Sequence, residues 1–223
     1  MNEMLPILAI ETSDDLCSAA VMIDENKFAE QNVKAKHVHS EKLVVMIESV
    51  VKSVDLQISD LNTIAVSEGP GSFTGLRIGM AAAKGLASGA ELSIAPVPTF
   101  DVLAYKIASY IPSGTEFLVI KKANRDEIYF SKYMKEKNSI KNLVPKSLLF
   151  KNEVDQYLEQ NVLVFSNVDE LRSNYDLTIP NAIDVARWTY KFGKDLVTSN
   201  YDLTQPKYLK KFVVKEKKND SNN

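Results

Sequence analysis

Residues 68–79, Glu68-Gly69-Pro70-Gly71-Ser72-Phe73-Thr74-Gly75-Leu76-Arg77-Ile78-Gly79, follow an apolar run from Thr63 to Val66 and open an alanine-rich one. That order predicts strand, tight loop, helix. Gly69, Pro70, Gly71 and Gly75 supply positive φ and a pinned turn, while Ser72 and Thr74 offer oxygens to the first N–H groups of a helix expected to start between Thr74 and Arg77. A loop of this kind serves one of two ends. Its backbone N–H groups receive an anion, which makes Gly69, Gly71, Ser72, Thr74 and Gly75 weak nucleotide or anion candidates, or its missing side chains let another backbone come very close.

Upstream of the loop, Leu5–Glu11, Cys17–Ile23 and Phe28–Lys34 read as three short strands separated by Ser13-Asp14-Asp15 and Asp24-Glu25-Asn26, an antiparallel meander. Ser40 is expected to cap a helix from Glu41 to Val54. The loop helix then runs from Leu76 to Ser88, and a strand from Ser93 to Val97. The series is βββαβαβ. A meander followed by parallel βα units is the pattern of the ribonuclease-H-like lobe of actin, sugar kinases and Hsp70-type ATPases, the two-lobed ASKHA fold. Beyond a helix from Phe100 to Tyr110, the break Pro112-Ser113-Gly114 separates a second block. Strands are expected there at Glu116–Lys121, Glu127–Tyr133, Lys146–Phe150 and Val162–Ser166, and helices at Asn152–Glu159 and Ala182–Val197. We therefore expect a first lobe over 1–110, a smaller, degenerate second lobe over 111–206, and a flexible basic tail over 207–223.

At 223 residues, 45% hydrophobic and 25% charged, the chain can bury one sizeable core or two small ones. No basic leader precedes a long apolar core near Met1, and no run reaches the roughly 18 apolar residues of a membrane span, so a cytoplasmic protein without membrane contact is expected. Cys17, the one cysteine, sits in an apolar run and reads as a small buried hydrophobe. A net charge of −2 gives no global attraction to nucleic acid. The lysines from Lys207 to Lys218 read as a solvated tail.

The first long helix carries Leu43, Val44, Val45, Met46 and Ile47 in succession, then Val50, Val51 and Val54. That stripe is wider than one sheet contact needs. The next helix holds Gly79, Ala83 and Ala87 on one ridge and Ala81, Gly85 and Gly89 near another. Two readings stay open at this point: a second lobe or loop covers the extra apolar face, or the two helices form a protein interface.

Chemistry is sparse elsewhere. An ATPase of this fold class holds metal and phosphate with a carboxylate and a glycine turn in its first hairpin, whereas this chain has Glu11-Thr12-Ser13-Asp14-Asp15 without glycine. Thr12 and Ser13 remain as weak phosphate candidates. His37 and His39 lack the further ligands a zinc site needs, so no metal is expected. No nucleophile elbow or Ser/His/Asp order is legible.

Ile10-Glu11-Thr12-Ser13, His39-Ser40-Glu41, the glycine loop to Gly79, Lys84-Gly85-Leu86-Ala87 and Pro206-Lys207-Tyr208-Leu209 together resemble the bacterial TsaB (YeaZ) family. The likeness is continuous over about the first hundred residues and looser afterwards. Lys122-Ala123-Asn124 stands where the family usually has Asp-Ala-Arg, and Lys210 where it usually has Arg. The resemblance implies a non-catalytic scaffold subunit in the synthesis of N6-threonylcarbamoyladenosine at position 37 of tRNAs reading ANN codons. It implies pairing with a TsaD-like catalytic subunit, joined by a TsaE-like ATPase, with tRNA contacted indirectly and a homodimer in isolation. ATP or ADP and magnesium then belong to the assembled complex and not to this chain alone. With the resemblance, Ser40, Leu43, Val44, Ile47, Val51, Phe73, Arg77, Met80, Ala81 and Lys84 become the candidate partner surface, with Gly79 and Ala83 admitting the partner helix. The competing readings are a glycoprotease-like peptidase, a weak ATPase of the same fold, and a tRNA-binding module.

Overall fold

The structure is a computed structural model that describes residues 4–35, 38–158, 162–171 and 177–209. Strands β1 (Ile7–Glu11), β2 (Leu16–Met22) and β3 (Phe28–Lys34) form the meander. Helix α1 (His39–Lys52) leads to β4 (Thr63–Gly69), α2 (Phe73–Gly89) to β5 (Ser93–Pro98), and α3 (Thr99–Ala108) to the second block. The first sheet has the order β3-β2-β1-β4-β5, antiparallel through the meander and parallel from β1 to β5.

Burial on both faces of β1, β2 and β4 explains their near-continuous buried runs, while the edge strand β3 is polar and largely exposed. In β1, Leu8 and Ile10 face α1 and α2, while Ile7 and Ala9 face the opposite layer. That layer contains a departure from expectation. Helix α4 (Ala182–Phe192), placed by sequence in the second lobe, packs its Ala182, Ile183, Val185 and Ala186 against the first sheet. Two hydrogen bonds fix its start: Ser18 Oγ accepts from the Ala182 N–H at 2.8 Å and Glu30 Oε1 from the Ile183 N–H at 2.9 Å. The chain thus returns to the first lobe after residue 181, and the boundary at 206 is corrected accordingly. Contiguity in sequence misled here because the far face of the first sheet needs an apolar cover that α3 alone does not supply.

The second sheet consists of β6 (Glu116–Lys122), β7 (Glu127–Lys135), β8 (Ile140–Phe150) and β9 (Leu163–Ser166) in the order β8-β7-β6-β9. Its pairing is antiparallel, antiparallel, parallel, the same as β3-β2-β1-β4, so among the described residues the second lobe repeats the first without a counterpart of β5. Helix α3 sits between the sheets, with Val102 toward the first and Phe100, Leu103 and Ile107 toward the second.

Local corrections have simple causes. Helix α1 begins two residues earlier than expected, with Val38 at the capping position; Ser40 is already helical and cannot take the extended conformation of a cap. Helix α2 begins at Phe73 because Ser72 caps it, its Oγ accepting from the Gly75 N–H at 3.2 Å. The expected helix at Asn152–Glu159 is a 3-10 segment, Lys151–Tyr157, and α4 stops at Phe192 before Gly193. No helix among the described residues is long and apolar enough to cross a membrane.

Candidate functional site

The glycine loop is closed by the protein itself. A Cβ on Gly75 would stand 2.0 Å from the Thr12 carbonyl oxygen, and one on Gly71 would stand 2.4 Å from that of Ser13. The hairpin between β1 and β2 therefore lies directly on the loop, and only glycine leaves it room. Thr12 Oγ1 donates to the Gly75 carbonyl at 2.8 Å, and the Ser72 N–H donates to the Ser13 carbonyl at 2.7 Å. The N–H groups of Gly69 and Gly75 are likewise engaged, by Thr99 Oγ1 at 3.2 Å and by the Ser72 cap. Of the two uses foreseen for this loop, close backbone approach is realised. Thr12 Oγ1, the N–H groups of Gly69, Ser72 and Gly75 and the Ser72 hydroxyl are thus committed within the protein, which argues against their use as an anion cradle; Ser13 and Gly71 line the cavity between the lobes, and Thr74 stands exposed at the rim.

Beneath the hairpin, Glu11 is fully buried, and its carboxyl accepts from the Ser13 N–H and the Ser67 hydroxyl. Burial pushes its pKa up, against the pull of those hydrogen bonds. A cavity of about 510 Å³ lies between the lobes, lined by Asp14, Ser72, Phe73, Lys121, Asn124, Tyr129, Asn167 and Tyr208 among others. Its buried charges are already matched, since Lys121 on β6 forms an ion pair with Asp14. Burial opposes the Asp14 charge, yet the Lys121 ammonium outweighs it and holds the carboxyl below the ordinary range. Sequence reading missed Lys121. The signal was a lysine ending the apolar run Leu118-Val119-Ile120.

His39 is the buried first residue of α1, and His37 lies outside the described residues. Among the described residues, no group of three or more His, Cys, Asp or Glu side chains could hold a metal ion. Cys17 is fully buried, and its thiol is pushed up to about 11 by that burial, which leaves it an inert hydrophobe.

The expected partner face divides in two. Leu43, Met80 and Ala83 are buried in the first lobe's own core, and Gly79 faces inward, where a Cβ would stand 2.2 Å from Thr12 Oγ1. These four are corrected: Gly79 and Ala83 admit β1, not a partner helix, because the ridge they share points at the sheet. The outward side of the same two helices carries Ser40, Val44 and Ala81 in the open, with Val44 64% and Val45 61% exposed. Between α1 and α2 runs an apolar groove of about 730 Å³, lined by Val44, Ala81, Ala82, Gly85, Leu86 and Ile58, with Ile47 and Val51 at its nearly buried floor. Gly85 and Gly89 meet nothing within 4 Å of an added Cβ. Gly85, noted on the second ridge but not chosen as a site residue, is the outward glycine.

The remaining candidates, Phe73, Arg77 and Lys84, face the chain's own C-terminal segment. Lys84 Nζ donates to the Thr204 carbonyl at 3.4 Å, Arg77 Nε donates to the Tyr208 hydroxyl at 3.0 Å, and the Phe73 and Tyr208 rings stand 5.0 Å apart. Lys207 and Tyr208 are therefore docked and not free, which corrects the start of the expected tail; residues 210–223 lie outside the described residues.

Comparison with known proteins places this arrangement. Residues 26–188 match the family described as TsaD, tRNA N6-adenosine threonylcarbamoyltransferase. The chain is 32% identical over 133 residues to the tRNA threonylcarbamoyladenosine biosynthesis protein TsaB of Haemophilus influenzae, covering 60% of this chain and 56% of that one. It is 33% identical over 135 residues to the Escherichia coli TsaB, covering 60% and 57%. A Buchnera aphidicola TsaB is 28% identical over 193 residues, covering 80% and 86%. The match thus spans little more than half the length of the first two relatives. Among solved structures, YeaZ from Pseudomonas aeruginosa superposes with a TM-score of 0.72 at 19% identity, over 91% of this chain and 99% of that one. These likenesses bear out the TsaB resemblance and the two-lobed actin-like fold.

Proposed function

The chain belongs to the TsaD family, tRNA N6-adenosine threonylcarbamoyltransferase, and from that premise we propose that it is a TsaB-type, non-catalytic subunit of the assembly that transfers a threonylcarbamoyl group to N6 of adenosine 37 in tRNAs reading ANN codons. It acts by pairing with a TsaD-type catalytic subunit through the outward faces of α1 and α2. In isolation a second copy covers the same surface and the chain is a homodimer. A TsaE-type ATPase joins the pair, tRNA is contacted indirectly, and ATP or ADP with magnesium binds only in the assembled complex, in the cytoplasm.

The observation that carries this reading is the open groove beside exposed Val44 and Val45 and the outward Gly85. Adjacent valines this exposed on a helix otherwise packed on its sheet expose an apolar surface of the kind that marks protein interfaces. The paired Asp14 and Lys121 and the closed glycine loop support the non-catalytic part, because a triphosphate would meet a filled cradle and a neutralised cleft.

Reconstitution tests it. Purified TsaD-type and TsaE-type proteins, threonylcarbamoyl-adenylate, ATP and tRNA are expected to give modified adenosine only when this chain is added, and Val44→Glu is expected to abolish the stimulation. Full product without the chain would overturn the proposal.

A further inference from the structure

The end of α2 beside the glycine loop is covered by the chain's own C-terminal segment, and the cover displays what that surface recognises. Glu68, next to last in β4, has only 3% of its side chain accessible, and its cation comes from the C-terminal segment: Lys207 Nζ stands 2.9 Å from Glu68 Oε1 while 71% of the lysine side chain is in solvent. The Lys207 N–H adds a backbone hydrogen bond to the Glu68 carbonyl at 2.7 Å. One residue on, the Tyr208 ring stacks near Phe73 at 5.0 Å. Its hydroxyl accepts from Arg77 Nε, and the Arg77 guanidinium lies 3.8 Å over the Phe73 ring. The surface thus takes a cation and then an aromatic ring with a polar tip. Burial pushes the Glu68 carboxyl up and Lys207 opposes that rise, so lifting Lys207 away favours either a second cation in its place or a proton on the carboxyl.

The resident occupant is held by contacts of a kind that exchange readily. Thr204 is buried and anchored to the Asn200 carbonyl at 3.3 Å, but among the described residues after it none is buried. The ammonium end of the ion pair is solvated, hence screened by salt. A segment with few buried contacts opens locally without unfolding the core.

We propose that Glu68, Phe73 and Arg77 form a docking site for a peptide segment bearing Lys or Arg followed by Tyr or Phe. Lys207-Tyr208 is its intramolecular occupant, and a partner protein's segment of that chemistry displaces it. The site adds to the groove between α1 and α2 and needs no TsaD-type partner to be tested.

The probe is a labelled peptide, Thr-Gln-Pro-Lys-Tyr-Leu, the sequence of residues 204–209. It is titrated into the full chain and into the full-length double variant Lys207→Ala, Tyr208→Ala, whose fold is checked by circular dichroism. Binding at least fivefold tighter to the variant is expected, with shifts in the amide resonances of Glu68, Phe73 and Arg77; a peptide with Ala at its Lys and Tyr should cause neither. Equal affinity for both chains, or no shift at those amides in a folded variant, overturns the proposal. Hydrogen exchange on the unaltered chain is the second arm. The amides of Lys207 to Leu209 are expected to exchange at least tenfold faster than those of mid-α2. Equal protection would make the segment a permanent part of the fold and end the proposal.

Discussion

Helix α2 carries glycines of two kinds. Gly75 and Gly79 face inward, where Thr12 stands 2.0 and 2.2 Å from the Cβ each lacks; Gly85 and Gly89 face outward and meet nothing. The first kind is explained within the molecule, because β1 and its hairpin fill the space. Of the second, Gly89 ends the helix, whereas Gly85 lies in its interior, where glycine costs about 0.8–1 kcal/mol against alanine, and no described contact compensates. What α2 teaches is that glycine spared for the chain's own backbone and glycine left facing open space look alike in sequence and separate only when the neighbouring strand is in place.

The largest expected effect tests the inward side. Gly75→Ala should lower the stability to chemical denaturation by about 3 kcal/mol or more, because the obstructing atom is a backbone carbonyl that cannot rotate away. Lys121→Met comes next, at about 3 kcal/mol, since it leaves the buried Asp14 carboxylate without its partner. A cost near zero in either would mean that the hairpin and cleft are looser than their contacts indicate. Val44→Glu probes the outward side: stability should stay within about 0.5 kcal/mol, while pairing weakens by about 2 kcal/mol, roughly thirtyfold. Gly85→Ala should stabilise the isolated chain by about 1 kcal/mol, opposite in sign to Gly75→Ala, and equal signs would break the comparison.

The smallest effect is one of pH. Burial raises the Glu11 carboxyl above 4.5, so between 4.5 and that raised value the folded chain holds a proton the unfolded chain has lost. Its contribution to stability is therefore complete below 4.5 and declines as pH rises through the folded value. Asp14 has the opposite sign: held below 3.8, it contributes above 3.8 and loses that contribution as pH falls through its folded value. Glu11→Gln should accordingly flatten the pH dependence above 4.5 in thermal melts, and an unchanged slope would show that Glu11 is ionised in the fold.

Much of this was legible in the chain. The alternation and punctuation of the meander placed β1 to β3 within a residue or two, and the glycine loop located α2, because both are decided by local pattern. What escaped depends on distant residues meeting. Lys121 and Asp14 pair across the two lobes, α4 returns to the first sheet, and Lys207-Tyr208 folds back on Glu68 and Phe73. The expected partner face divided into inward and outward residues for the same reason. Helical periodicity identified an apolar surplus on α1 and α2, but which ridge meets β1 is set by the crossing of helix and sheet, so Leu43, Gly79, Met80 and Ala83 turned inward while Val44 and Gly85 turned out.

Light scattering coupled to size exclusion addresses the pairing claim most directly, on the chain alone, mixed with its TsaD-type counterpart, and again with Val44→Glu. The account predicts a mass near twice the 24.9 kDa of the chain, giving way to a one-to-one pair with the counterpart, and a Val44→Glu variant that stays monomeric in both. A chain that remains monomeric and ignores the counterpart, or a variant that pairs as well as the original, would contradict it.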